Sequence, residues 1–293
     1  MIIQTLGSDA FGGHLRPPTS VGLSPLFRAK ISVAGEKLRC YVKPLTDKID
    51  CPTKGTQVTN QELINEALGY ALARTCGLSV PDVAGVILLE AEQIPAQQID
   101  QLQKLARGAK QDSYFCWFSK DMNYPNLKQH HLEGVNLKLL EQRRVRRLLK
   151  HLIDCEDTPA VIAFDDWLLN SDRHVGNLLA SPGDGLMLID HGRILHYPNW
   201  VPGGVGSMPW PSENRLRNLI DHHMPKWSSK LPTKSAMVMA YNAFAVSFRT
   251  QGEAAARTVL DNFFGDIDTD AIIQLLQLRH DPAGYAKAAG MVV

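Results

Sequence analysis

The stretch that most constrains this chain is Phe164 to Arg193, FDDWLLNSDRHVGNLLASPGDGLMLIDHGR. Asp172 and Asn177 lie five residues apart on a short segment that also holds Arg173, His174 and Gly176. Asp190 follows at the end of an apolar run, Leu186 to Ile189, which reads as a short buried strand. The turn residues Pro182 to Gly185 join Asn177-Leu178-Leu179 to that run and predict a hairpin. The hairpin would bring Asn177 and Asp190 to one edge. A carboxylate that can receive a hydroxyl proton, with an Asn and an Asp that can hold magnesium on phosphates, is the equipment of phosphoryl transfer.

Residues 1–26 are rich in Gly and Pro and predict loops and short edge strands rather than a long helix. Within them, Thr19 to Pro25, which includes Gly22 and Ser24, could cradle phosphates through N–H and hydroxyl groups or be an ordinary turn. It is neither a GxGxxG nor a Walker motif. Phe27–Val33 and Lys37–Lys43 alternate apolar and polar residues around Ala34-Gly35-Glu36 and predict a β-hairpin. Lys43, at the end of its second strand, is either a solvated strand end or a cation aimed at phosphates. A helix is expected over Asn60–Cys76, capped by Thr59 or Asn60 and closed by Gly77 in a left-handed position. Leu63, Ala67, Leu68, Ala71 and Leu72 give that helix an apolar face, and Glu66 sits at its border. A carboxylate there is a solvated charge or the partner of Lys43, with Glu62 one turn earlier as the alternative.

Val80–Leu89 and Ser113–Phe118 predict further strands, with helical composition over Glu92–Lys110. The aromatic strand Tyr114, Phe115, Trp117, Phe118 would run into a connection near Phe118 to Met122. From Tyr124 onward the pattern is helical. Helices are expected over Leu139–Asp154, Ala160–Leu169, 233–264 and 269–279. Arg143, Arg144, Arg146 and Arg147 crowd one helix, but without an interleaved aromatic platform they read as a solvated or partner-facing side rather than a nucleic-acid surface. Asp165 and Asp166 read as helix-turn charges. The pairs His130-His131 and His222-His223 stand in no HExxH or Cys/His frame, so they read as structural or exposed histidines. Tyr197 to Pro211, rich in Pro, Gly and Trp, is either a partner-binding lid or a packed surface loop.

A chain of 293 residues can hold one large domain or two lobes. Its formal net charge of +1 gives no general pull toward nucleic acid or an acidic membrane. The five cysteines lack CxxC spacing, which favours reduced thiols and a cytoplasmic location. No run is apolar enough to span a bilayer.

The wording Asp-Arg-His-x-x-Asn at 172–177, then Ile-Asp-His-Gly at 189–192, resembles the catalytic and metal-binding loops of HipA-like kinases. More distantly it is similar to phosphatidylinositol 3/4-kinases. Asn65 to Pro81, Asn-Glu-x5-Leu-Ala-x2-Cys-Gly-Leu-x-Val-Pro, resembles the corresponding helix and exit of the same family. The resemblance implies an α+β, two-lobed protein-kinase-like fold, with a small antiparallel-sheet lobe over 1–119 and a helical lobe over 120–293. It implies ATP and Mg2+ as cofactors and a Ser/Thr hydroxyl, of a protein or of the chain itself, as acceptor. Asp172 would orient that hydroxyl and take its proton, and His174 would support the loop or approach the γ-phosphate. Lys43, positioned by Glu66, would hold the α- and β-phosphates, and Asn177 and Asp190 would ligate magnesium. Gly22 and Ser24 would belong to the phosphate loop and Phe118 to the adenine-bearing hinge. A partner protein from the same operon is a further implication. The alternative class is a catalytically silent, kinase-like nucleotide-binding scaffold.

Overall fold

The computed structural model describes residues 3–18, 24–51, 55–133, 138–197, 200 and 213–291. The chain is mixed α+β and divides into two compact units. One comprises Met1–Ala67, Pro81–Met122 and Tyr197–Asn199, and the other Leu68–Val80, Asn123–His196 and Trp200–Val293.

The first unit is built on six strands. These are β1 (Gln4–Leu6), β2 (Phe11–His14), β3 (Phe27–Val33), β4 (Glu36–Pro44), β7 (Ala84–Glu90) and β8 (Ser113–Lys120), in the order β1-β7-β8-β4-β3-β2. A small ribbon of β5 (Lys48–Asp50) and β6 (Gln57–Thr59) lies between β4 and β7 in sequence. The hairpin expected at Phe27 forms because Ala34 (φ 48°) and Gly35 (φ 86°) take the left-handed conformations that a two-residue turn needs. Alternation places Phe27, Ala29, Ile31 and Val33 of β3 and Cys40 and Val42 of β4 in one buried layer, with Ile87, Leu89, Tyr114, Cys116 and Phe118. The sheet is antiparallel except at its edge, where β1 runs parallel to β7. That pairing depends on Gly85, since a Cβ there would stand 2.2 Å from the Gln4 carbonyl oxygen. The helices α1 (Glu62–Thr75) and α2 (Ala96–Leu105) complete the unit, although the unit boundary cuts α1 after Ala67.

The second unit is helical. It contains α3 (Leu127–His131), α4 (Lys138–Asp154), α5 (Asp157–Leu168), α6 (Arg215–His223), α7 (Leu231–Ser247), α8 (Glu253–Leu260), α9 (Asp266–Arg279) and α10 (Pro282–Ala288). Its one hairpin among the described residues is β9 (Leu178–Ala180) with β10 (Leu186–Leu188). The single helix expected over 233–264 is interrupted by a π-turn, Phe248–Gly252, between α7 and α8. The helix α5 is buried on all sides, with Val161, Ile162, Phe164, Trp167 and Leu168 almost inaccessible. It packs on α7 through Phe164 against Phe244 and on the π-turn through Trp167 against Phe248. Asp165 and Asp166, expected as helix-turn charges, are corrected by this packing: both are fully buried. No helix among the described residues is long and apolar enough to cross a membrane. All five cysteines are free thiols, and only Cys76 is less than fully buried.

Candidate functional site

In the sheet unit, Lys43 ends the exposed-to-buried course of β4 and is 6% exposed. A buried ammonium is costly unless it is paired. Lys43 Nζ lies 2.6 Å from Glu62 Oε1 and 2.8 Å from Glu66 Oε1. Glu62 and Glu66 are one helical turn apart on α1 and therefore share a face, so the alternatives of the sequence reading are both realised. Asn60 Oδ1 accepts from the Glu62 N–H and fixes the start of the helix. Phe118 is wholly buried, and its strand pairs with β4 on one side and β7 on the other. Its side chain packs the core, and the ladder ends just beyond it at Lys120. Ser24 sits half-buried on a bend before β3, and Gly22 lies outside the described residues.

In the helical unit, α5 stops because Leu169 adopts a left-handed conformation (φ 56°). The chain then turns through Asn170, whose Nδ2 donates to Asp165 Oδ1 at 2.9 Å and whose Oδ1 accepts from the Asp172 N–H. Asp172 is thus presented at the end of a tethered turn, with its side chain 39% exposed. Arg215 Nη1 lies 2.5 Å from Asp172 Oδ1.

Arg173 points the other way and is completely buried. Its Nε donates to Asp165 Oδ2 at 3.1 Å, and its Nη1 donates to the Ile189 carbonyl at 2.5 Å, with longer contacts of 3.4 Å to the Asn177 and Asp190 carbonyls. Its Nη2 reaches His191 Nδ1 at 3.3 Å. One planar guanidinium therefore ties the turn carrying Asp172 to the backbone at Asn177 and at Asp190. Burial pushes the Asp165 carboxyl up to about 6, against the pull of Arg173 and Asn170. Sequence reasoning read Asp165 as a helix-turn charge, because a helix-borne acid carries no sign of its burial.

Asn177 closes a short 3-10 turn, Val175–Asn177, and its Nδ2 lies 3.4 Å from the Asp172 carbonyl. That leaves its Oδ1, the atom a hard cation would take. The β9–β10 hairpin and the Ile189 N–H to Asn177 O bond bring the Asp190 end of β10 alongside Asn177, as the spacing predicts. Asp190 itself is left-handed (φ 59°), uncommon for a residue with a side chain and frequent at functional turns. His174 Nδ1 accepts from the Gly176 N–H at 3.0 Å, so the ring carries its proton on Nε2. Burial lowers the His174 pKa, with Asp172 and Asp190 opposing. A Cβ at Gly176 would stand 2.8 Å from the imidazole, so a larger residue there would displace the His174 ring.

Residues 46–197, more than half of the chain, match the family model described as HipA-like kinase. No curated protein matches the chain. Among solved structures it is similar to the MAP kinase LmaMPK10 of Leishmania major, at 11% identity and a TM-score of 0.31. That likeness covers 96% of this chain and 81% of the other.

Proposed function

Because the chain belongs to the HipA-like kinase family, we propose that it is an ATP- and Mg2+-dependent phosphotransferase acting on a Ser or Thr hydroxyl, of another protein or of itself. Asp172 orients the hydroxyl and takes its proton as the oxygen attacks the γ-phosphorus and the bond to ADP breaks. Lys43 places a buried positive charge on the α- and β-phosphates, held in position by Glu66. Asn177 Oδ1 and the Asp190 carboxylate are hard oxygen donors suited to magnesium, which when bound neutralises charge on the β- and γ-phosphates. The His174 Nε2–H is a neutral donor for a γ-phosphate oxygen. A phosphate loop including Gly22 and Ser24, and a hinge at Phe118 to Met122, complete the nucleotide contacts.

The observation that carries this reading is the Arg173 guanidinium. By bonding the carbonyls of Asn177, Ile189 and Asp190 while paired to Asp165, it fixes proton acceptor and metal donors in one register before any ligand arrives. Calorimetric titration of ATP into the protein, with and without Mg2+, tests it. Mg2+ is expected to strengthen ATP binding, Asp190→Asn to remove most of that gain, and Lys43→Met to weaken binding in both conditions. ATP binding that ignores both Mg2+ and Asp190→Asn would overturn the reading. A second reading, a catalytically silent nucleotide-binding scaffold, is favoured by one contact, the Arg215–Asp172 ion pair that occupies the proposed base. Arg215→Ala separates the two: it raises transfer if the pair is a brake and leaves transfer absent if the protein is a scaffold.

A further inference from the structure

We infer that His131 and His151 form a two-histidine site for a borderline divalent transition metal, of the Ni2+, Zn2+ or Cu2+ class, that clips α3 to α4. His131 Nε2 and His151 Nδ1 face each other at 3.2 Å across the two helices, with the rings nearly perpendicular. Two imidazole nitrogens bound to one tetrahedral metal are about 3.3 Å apart, so the pair already stands at ligand spacing.

Without a metal one ring must donate to the other. If His151 Nδ1 accepts, its proton sits on the buried Nε2, on a ring that the Asp184 backbone can hydrogen-bond. Asp184, on the β9–β10 turn, is the acidic neighbour of the His151 ring. A histidine ligand with an acidic residue beside its ring follows the usual logic of such sites. Metal binding replaces only the shared proton, which His131 can carry on Nδ1 instead. His130 and the Arg147 guanidinium are the other titratable neighbours of His131. Arg147 opposes a cation here, and Asp184 offsets it. His130 stands edge-on against His131 on the exposed side.

The clip has a consequence beyond the two helices. The Asn126 cap of α3 forms a bridge to Leu179 of β9, and the Ala180 N–H donates to the Pro125 carbonyl at 2.9 Å. β9 follows directly on Asn177. A metal at His131 and His151 therefore ties α4 to the helix whose start borders the strand that follows Asn177.

The test is calorimetric titration of Ni2+, and separately Zn2+, into the tag-free full chain at neutral pH. One metal per chain is expected, with affinity falling about tenfold or more in His131→Ala and in His151→Ala. His130→Ala and Asp190→Asn should leave it unchanged, and excess Mg2+ should not compete. If His151→Ala does not fold, His151→Asn keeps the shape, and the Cu2+ absorption band reports the loss of the imidazole. Absence of Ni2+ and Zn2+ binding, or binding indifferent to both His131→Ala and His151→Ala, would overturn the inference.

Discussion

At the scale of single residues, Arg173 is the keystone. Its charge is compensated inside the protein by Asp165, and its remaining donors are spent on the backbone of the segments that present Asn177 and Asp190. Replacing Arg173 by Met leaves buried Asp165 without its ion-pair partner and takes a donor from the Ile189 carbonyl. Urea unfolding should register a loss of about 3–5 kcal/mol. His174 makes a pH prediction. Burial lowers its pKa below the ordinary 6.5, so the folded protein binds fewer protons than the unfolded chain in the window below 6.5. Its contribution is complete above pH 6.5 and is lost as pH falls toward the lowered value. Unfolding curves at pH 7.5 and pH 5.5 should therefore converge more in His174→Gln than in the wild type. Asp172, Asn177 and Asp190 were legible as a motif because their spacing on loop and hairpin is local. Asp165 was not, since its role is defined by a side chain eight positions away and by complete burial.

At the scale of elements, the local signals were sufficient wherever they specified backbone conformation. Ala34-Gly35 predicted the turn of the β3–β4 hairpin, and Gly77, at φ 77°, closes α1 in the left-handed position expected of it. The parallel pairing of β1 with β7 was invisible, because parallel partners are remote in sequence; its trace was a lone glycine, Gly85, inside an apolar strand. A second glycine marks a closer contact. Gly69 on α1 faces His191, and a Cβ at that position would stand 2.4 Å from the His191 Cβ. Gly69→Ala should therefore push the helix off the segment that follows Asp190. The expected cost is about 1–3 kcal/mol in thermal or urea unfolding. The nearby Gly183, in an open turn with no atom in the way of a Cβ, gives no such clash.

At the scale of the whole molecule, the sheet unit and the helical unit each carry part of the proposed chemistry on a rigid frame. In the helical unit the frame is polar as well as apolar. Buried Asp166 accepts from Arg217 at 2.8 Å, from Asn214 at 3.2 Å and from the Tyr285 hydroxyl at 2.9 Å, which ties α5 to the start of α6 and to α10. Tyr285→Phe should cost about 1.5–3 kcal/mol, read by urea unfolding, because it removes a donor to a buried carboxylate. The α+β class was readable from the strand patterns before residue 120 and the helical patterns after Tyr124. The buried acids and arginines that lock the helices were not, since composition and spacing do not report burial. The measurement that bears most directly on the central claim is transfer of labelled γ-phosphoryl from ATP with Mg2+, by the purified protein alone and in lysate, beside Asp172→Ala. A labelled Ser or Thr is expected with the wild type and none with the variant. Equal labelling by both proteins would contradict it.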